Sequence, residues 1–146
     1  MKTNFYFLMV IGLVLFLSGC ETFKIFLGTS TKHLEKARVD ALSMTFDCKL
    51  EECFDSVLSL AKNEDMGKTK INQKPFEIFR KDRIKSYIVV MGMDGNIDTT
   101  EAGIFFTPLE KGGTKIEVSS LSVTAKEKVA KAVFQELNLR YNHTGN

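Results

Sequence analysis

An uncharged, apolar run from Phe5 to Leu17 constrains this 146-residue chain more than any other feature of its sequence. A helix that crosses a bilayer needs roughly 20 apolar residues, and this run is shorter. It follows the single positive charge of Lys2 and leads into small residues, which is the arrangement of a secretory signal peptide. We therefore predict that residues 1–19 are a signal peptide outside the folded domain. A signal anchor that is never cleaved is the alternative.

The residues that end this run, Leu17-Ser18-Gly19-Cys20, resemble the lipobox of bacterial lipoproteins. The resemblance implies cleavage before Cys20, a diacylglyceryl group on its thiol and further acylation of the new amino group. Two or more acyl chains give a stable anchor, whereas one chain binds only marginally at about 0.8 kcal/mol per buried methylene. By the same resemblance, Glu21 in place of an aspartate favours the outer membrane over the inner one. We therefore expect a lipid-anchored protein of the cell envelope that faces the periplasm.

The charge balance argues against nucleic acid as a partner. The chain has 20 basic and 18 acidic residues, and cleavage before Cys20 removes only Lys2, so no strong basic field remains. Its composition, with 44% hydrophobic and 26% charged residues, is typical of a globular protein. The part that follows the signal is long enough for one domain with its own core.

Residues 20–40 are predicted to be the lipidated N-terminus and a membrane-proximal segment, with a short helix from Lys32 to Val39. A single domain is predicted over 41–140, followed by a flexible tail at 141–146. Apolar residues alternate with small or polar ones from Leu42 to Phe46, which predicts a strand.

Helical spacing of apolar residues from Lys49 to Lys62 predicts an amphipathic helix. A second helix is predicted from Thr124, where Glu127 completes the pattern of a capping box, with a buried stripe at Val129, Val133 and Leu137. Between the helices, four more strands are predicted at Phe76–Arg80, Ile84–Met93, Gly103–Leu109 and Thr114–Leu121. The order β-α-β-β-β-β-α predicts an α+β fold, with an antiparallel sheet of about five strands and both main helices on one face.

This order of elements, from about Ala41 to Leu139, resembles a helix-grip module, in which the C-terminal helix lies across a curved antiparallel sheet. Such modules form the small domains of the outer-membrane barrel-assembly accessory lipoprotein. A ferredoxin-like arrangement is the alternative fold, although it places fewer strands between its two helices.

The side chains that could carry chemistry are few. If Cys48 and Cys53 both lie on the helix, their Cα atoms are too far apart for a disulfide, although an unwound first turn would allow one. The two histidines, His33 and His143, match no catalytic or zinc-binding spacing. We therefore predict no catalytic residues, no metal site and no cofactor.

The strand near Ile88 is apolar on both of its faces. Ile88 and Val90 occupy one side and Tyr87, Val89 and Met91 the other, and the Phe105-Phe106 pair must also place one ring on each side. A sheet face this apolar needs a cover. We predict that the segment from Phe23 to Val39 covers part of it, and that Tyr87, Val89 and Met91 form a candidate partner interface on the rest.

Three functions are compatible with these features. The first is a non-catalytic module that binds another envelope protein or has a structural role. The second is a carrier or sensor of a small apolar ligand held between the sheet and the C-terminal helix, and bulky residues such as Phe46, Phe54 and Phe106 would fill so small an interior. The third, an enzyme, lacks a readable set of acid, base and nucleophile. The sequence therefore favours the binding module.

Overall fold

The computed structural model of the chain describes residues 31–62, 74–92 and 100–141. Cys20, the signal peptide at 1–19 and the last five residues lie outside the described residues, so the expectations for them stay predictions. The chain divides into two units, Met1–His33 and Leu34–Asn146, and all the elements described below belong to the second.

The second unit contains a five-stranded antiparallel sheet and two main helices. A 3₁₀ helix at Ala37–Asp40 precedes the sheet. The helices are α1 (Leu50–Lys62) and α2 (Val123–Tyr141). The strands are β1 (Leu42–Phe46), β2 (Glu77–Asp82), β3 (Tyr87–Met91), β4 (Ala102–Pro108) and β5 (Thr114–Ser120).

The strands lie in the order β1-β5-β4-β3-β2, with every neighbouring pair antiparallel. The predicted α+β class and its five-stranded antiparallel sheet are therefore confirmed. Because four consecutive strands separate the two helices, the ferredoxin-like alternative does not apply.

The main core lies between α1, α2 and one face of the sheet. Phe54, Val57 and Leu58 of α1 are buried there, as are Val129, Val133 and Leu137 of α2, as predicted. Aromatic rings contact one another in this core and at its edge: those of Phe54 and Phe106 lie 5.1 Å apart, and those of the buried Phe46 and the partly buried Phe134 lie 6.0 Å apart. The core is therefore packed by side chains from both helices and the sheet.

A disulfide joins Cys48 to Cys53, which agrees with the alternative in which the chain is not helical at Cys48. Cys48 precedes α1, so the chain is not helical between it and Leu50, and the two Cα atoms are 5.9 Å apart. That distance is within the range of disulfides. Both cysteines are buried, and Thr114 Oγ1 donates to the Cys48 carbonyl oxygen at 2.8 Å. The disulfide and this hydrogen bond together connect the first turns of α1 to the start of β5, where it pairs with the end of β1.

The turn between β2 and β3 lies later in the chain than the sequence pattern predicts. β2 continues to Asp82, and Ile84 lies in the turn, 97% exposed, although its type is typical of strands. Asp82 Oδ1 accepts from the Lys85 amide at 3.0 Å, and Ser86 adopts a left-handed φ of 53°. These local features stabilise the turn and outweigh the β-propensity of one residue.

The predicted capping box at Thr124 and Glu127 is wrong. Ser122, directly before the helix, caps it instead, because its Oγ accepts a hydrogen bond from the Ala125 amide at 3.3 Å. The same helix includes Tyr141, which sequence analysis assigns to the tail. The Tyr141 hydroxyl and Ser56 Oγ are hydrogen-bonded at 2.8 Å, which links the C-terminal end of α2 to the middle of α1.

Candidate functional site

The second face of the sheet, opposite the main core, carries a small apolar cluster. Tyr87 and Val89 of β3 and Phe105 of β4 belong to it, whereas Ile88 and Val90 belong to the main core. Phe106 likewise packs in the main core, so the prediction that the two adjacent phenylalanines point to opposite faces is confirmed. This division follows from the period of two along a strand.

Residues 34–40, here called the strap, lie over this cluster. Leu34 is 2% exposed and packs with Tyr87, Val89 and Phe105. Its carbonyl oxygen accepts a hydrogen bond of 2.7 Å from Ser119 Oγ. The last part of the predicted cover, Phe23 to Val39, is therefore in place, and residues 23–30 lie outside the described residues. Val39 itself is 87% exposed and adds nothing to the cluster.

The strap approaches the backbone of β4 closely at Gly103. A Cβ atom built on Gly103 would lie 2.7 Å from a ring carbon of Phe105 and 3.3 Å from the Cβ of Leu34. The first distance is shorter than any normal contact between carbon atoms. The missing side chain at Gly103 therefore makes room for both neighbours on the second face.

Arg38 holds the strap by charge as well as by stacking. Its guanidinium carbon lies 4.7 Å from the centre of the Phe105 ring, and the group forms a salt bridge with Glu117 of β5. Lys115 Nζ contacts the other carboxylate oxygen of Glu117 at 3.2 Å. Partial burial alone would raise the pKa of Glu117, but the hydrogen bonds from Arg38 and Lys115 outweigh it and hold that pKa below its ordinary value. Glu117 is therefore the anionic anchor of the strap.

The far end of the strap is fixed to the last helix. Lys126 Nζ donates to the Asp40 carbonyl oxygen at 2.7 Å. Together with the Leu34 and Arg38 contacts, this gives the strap attachments at its beginning, middle and end. It is thus held as a layer on the sheet.

The predicted interface residues differ in their accessibility. Tyr87 is 5% and Val89 only 1% exposed, both within the cluster, whereas Met91 is half-buried. The edge strand β2 places three polar side chains directly opposite these residues. Glu77 faces Met91, Arg80 faces Val89 and Asp82 faces Tyr87. The accessible end of the second face is therefore formed by Met91 beside a charged strand.

The contacts of Arg38, Gly103 and Glu117 that position the strap are not predicted from the sequence, whereas Leu34 belongs to the predicted cover. Glu117 is recognisable as an outward residue of its strand, but its partner Arg38 is 79 positions away in the chain. No local pattern predicts a contact of that separation. The one sequence signal was the excess of apolar side chains on β3, which indicated a cover without saying how it is held.

Two further findings concern the described ranges. No group of three or more His, Cys, Asp or Glu residues there is arranged to hold a metal ion. No helix in the same part of the chain is long and apolar enough to cross a bilayer.

The chain was also compared with known proteins. No protein-family model, curated protein or solved structure matches it.

Proposed function

We propose that this protein is a lipid-anchored module of the bacterial cell envelope that acts without catalysis, by binding another protein. The observation that carries the proposal is Leu17-Ser18-Gly19-Cys20 at the end of a short apolar run, because acylation of Cys20 would attach the domain to a membrane. In this proposal the chain faces the periplasm from the outer membrane. The buried Cys48–Cys53 disulfide supports an oxidising compartment.

The binding role is supported by the second face of the sheet. Of the β3 residues on this face, Tyr87 and Val89 are buried and Met91 is half-buried, and Phe79 in the neighbouring strand β2 is 43% exposed. A small apolar centre beside charged residues is a common form of protein contact surface. The packed aromatic rings of the main core favour this role over the carrier of an apolar ligand, which would need an unfilled interior. The resemblance in element order to the helix-grip domains of an accessory lipoprotein also supports a non-catalytic role.

The proposal is tested by chemical crosslinking of the full chain in its host membrane. Mass spectrometry should find acyl groups on a chain that begins at Cys20, and Cys20→Ala should abolish both the acylation and the retention in the membrane. In the lipidated protein, Met91→Lys should lower the amount of a specific crosslinked partner that is recovered several-fold. Leu109→Lys is the matched control, since Leu109 is an apolar residue that is 37% exposed and lies outside the cluster, directly after β4.

Two results would contradict the proposal. An unmodified chain beginning at Met1 would exclude the lipid anchor. Equal recovery of every partner with Met91→Lys and Leu109→Lys, at unchanged thermal midpoints, would exclude this end of the second face as the binding surface.

A further inference from the structure

The two edge strands of the sheet differ in how they are protected against pairing. β2 carries four charged side chains among its six residues and has a register shift around Phe79. Charges and bulges on an edge strand prevent it from accepting another strand. β2 is therefore a protected edge.

β1 has none of these protections. Its five residues, Leu42-Ser43-Met44-Thr45-Phe46, include no charge and no proline, and all five pair with β5 without a register shift. In the described part of the chain no strand lies beyond it. Four of its five residues are exposed, and Leu42 and Met44 are 39% and 38% exposed. A straight, neutral edge of this kind can accept a further strand.

We propose that β1 pairs with β1 of a second copy of this chain, antiparallel about a twofold axis, so that the two sheets join into one of ten strands. In the register that pairs all five residues, Met44 lies opposite Met44 of the second copy. Leu42 then lies opposite Phe46, and Ser43 opposite Thr45. Apolar side chains thus meet apolar ones on one face, and hydroxyls meet hydroxyls on the other.

The charges favour a second copy at this edge and disfavour one at the other. Self-pairing of β1 brings no like charges together, because the strand has none. The equivalent self-pairing of β2 would place Glu77 opposite Asp82, which is a repulsive acidic pair. Only β1 is therefore self-complementary.

The size of the contact determines where the pairing should be observed. Stable interfaces bury about 1,200–2,000 Å², and one five-residue strand supplies only a part of that. Two chains anchored in one membrane would meet at a higher effective concentration than in free solution. This last argument rests on the proposed anchor, whereas the strand pairing does not.

The pairing is tested in the full chain by Met44→Cys in the membrane under mild oxidation. Opposed residues of antiparallel strands have Cα atoms about 4.5–5.5 Å apart, which a disulfide can bridge. We expect a disulfide-linked homodimer, formed several-fold more than with Ile84→Cys. Ile84, at a turn tip and 97% exposed, reports random collision. Equal amounts from the two variants, or a crosslink to a different protein only, would overturn the proposal while leaving the acylation of Cys20 unaffected.

A charge exchange tests the register, because Ser43 lies opposite Thr45 of the second copy. Ser43→Lys combined with Thr45→Lys should reduce the Met44→Cys homodimer several-fold through repulsion. Ser43→Lys combined with Thr45→Glu should retain it, since opposite charges then meet. Lys115 lies opposite Thr45 within the chain, so the thermal midpoint of each variant is measured alongside. Homodimer yields that do not differ between two folded variants would also overturn the pairing.

Discussion

Glu117 shows how a charged residue can hold a segment over an apolar cluster. Its side chain is 13% exposed and contacts both Arg38 and Lys115. A carboxylate so placed is stabilised by two cations and by the hydrogen bonds they donate. Removing the charge would therefore weaken the strap more than the sheet, since Arg38 belongs to the strap.

The lowered pKa of Glu117 predicts a specific pH dependence. A carboxyl whose pKa is lower in the folded state stabilises the fold above its unfolded pKa, about 4.3, and loses that contribution as the pH falls through the folded value. We expect the protection factors of the amides in residues 34–40, which are corrected for the intrinsic pH dependence of exchange, to fall in that acidic range. Glu117→Gln should exchange faster at neutral pH and lose the acid-dependent step. A step of unchanged size in Glu117→Gln would assign the effect to another group.

At the scale of elements, the sequence predicts the two helices and the sheet well because their periods are clear. Leu50, Phe54, Val57 and Leu58 repeat at helical spacing, and all of them pack in or against the main core. The errors lie where side chains bond to the backbone. Asp82 and Ser122 set the start of a turn and of a helix through hydrogen bonds that hydrophobic spacing does not contain.

The sequence leaves the disulfide undecided for a related reason. Whether Cys48 and Cys53 can be joined depends on whether the chain is helical at Cys48, and element boundaries are the least certain part of a sequence prediction. Once joined, the six-residue loop stabilises the domain by about 2 kcal/mol in the chain-entropy model. The disulfide constrains the connection between β1 and α1.

The helix phase makes a quantitative prediction. Leu58 is 7% exposed within the main core, so Leu58→Ala should lower the free energy of unfolding by about 2 to 5 kcal/mol. Leu139→Ala on α2 is the control, since Leu139 is 49% exposed. Its cost should stay near that of a surface change, about 0.5 kcal/mol or less. Chemical denaturation of both variants gives the comparison, and equal costs would mean that α1 is phased differently.

On the scale of the whole molecule, one sheet supports two layers of unequal size. The two helices and one face of the sheet bury most of the apolar side chains in the main core. The cluster on the second face comprises only four of the described residues, Leu34, Tyr87, Val89 and Phe105. A layer held by so few apolar contacts opens more easily than the core beneath it. The strap is therefore the part of the described domain that should separate first.

A chain that begins at Asp40 tests this division. Without residues 34–39, Tyr87, Val89 and Phe105 lose the cover of Leu34 and Arg38, and the domain should bind a hydrophobic dye or aggregate. Its far-ultraviolet circular dichroism should stay close to that of the longer chain, because α1, α2 and the sheet form the main core. Dye binding equal to that of the chain with an intact strap would show that Tyr87, Val89 and Phe105 have another cover.

The close approach at Gly103 sets a rule for recognising relatives of this protein. Any side chain at that position would collide with Phe105 and press on Leu34. A related sequence that carries alanine or a larger residue there should therefore have a smaller side chain at position 105, with the strap displaced slightly away from β4. Linked substitution at positions 103 and 105, together with a change at position 34 far from them in the chain, would mark a descendant of this fold even where overall identity has been lost.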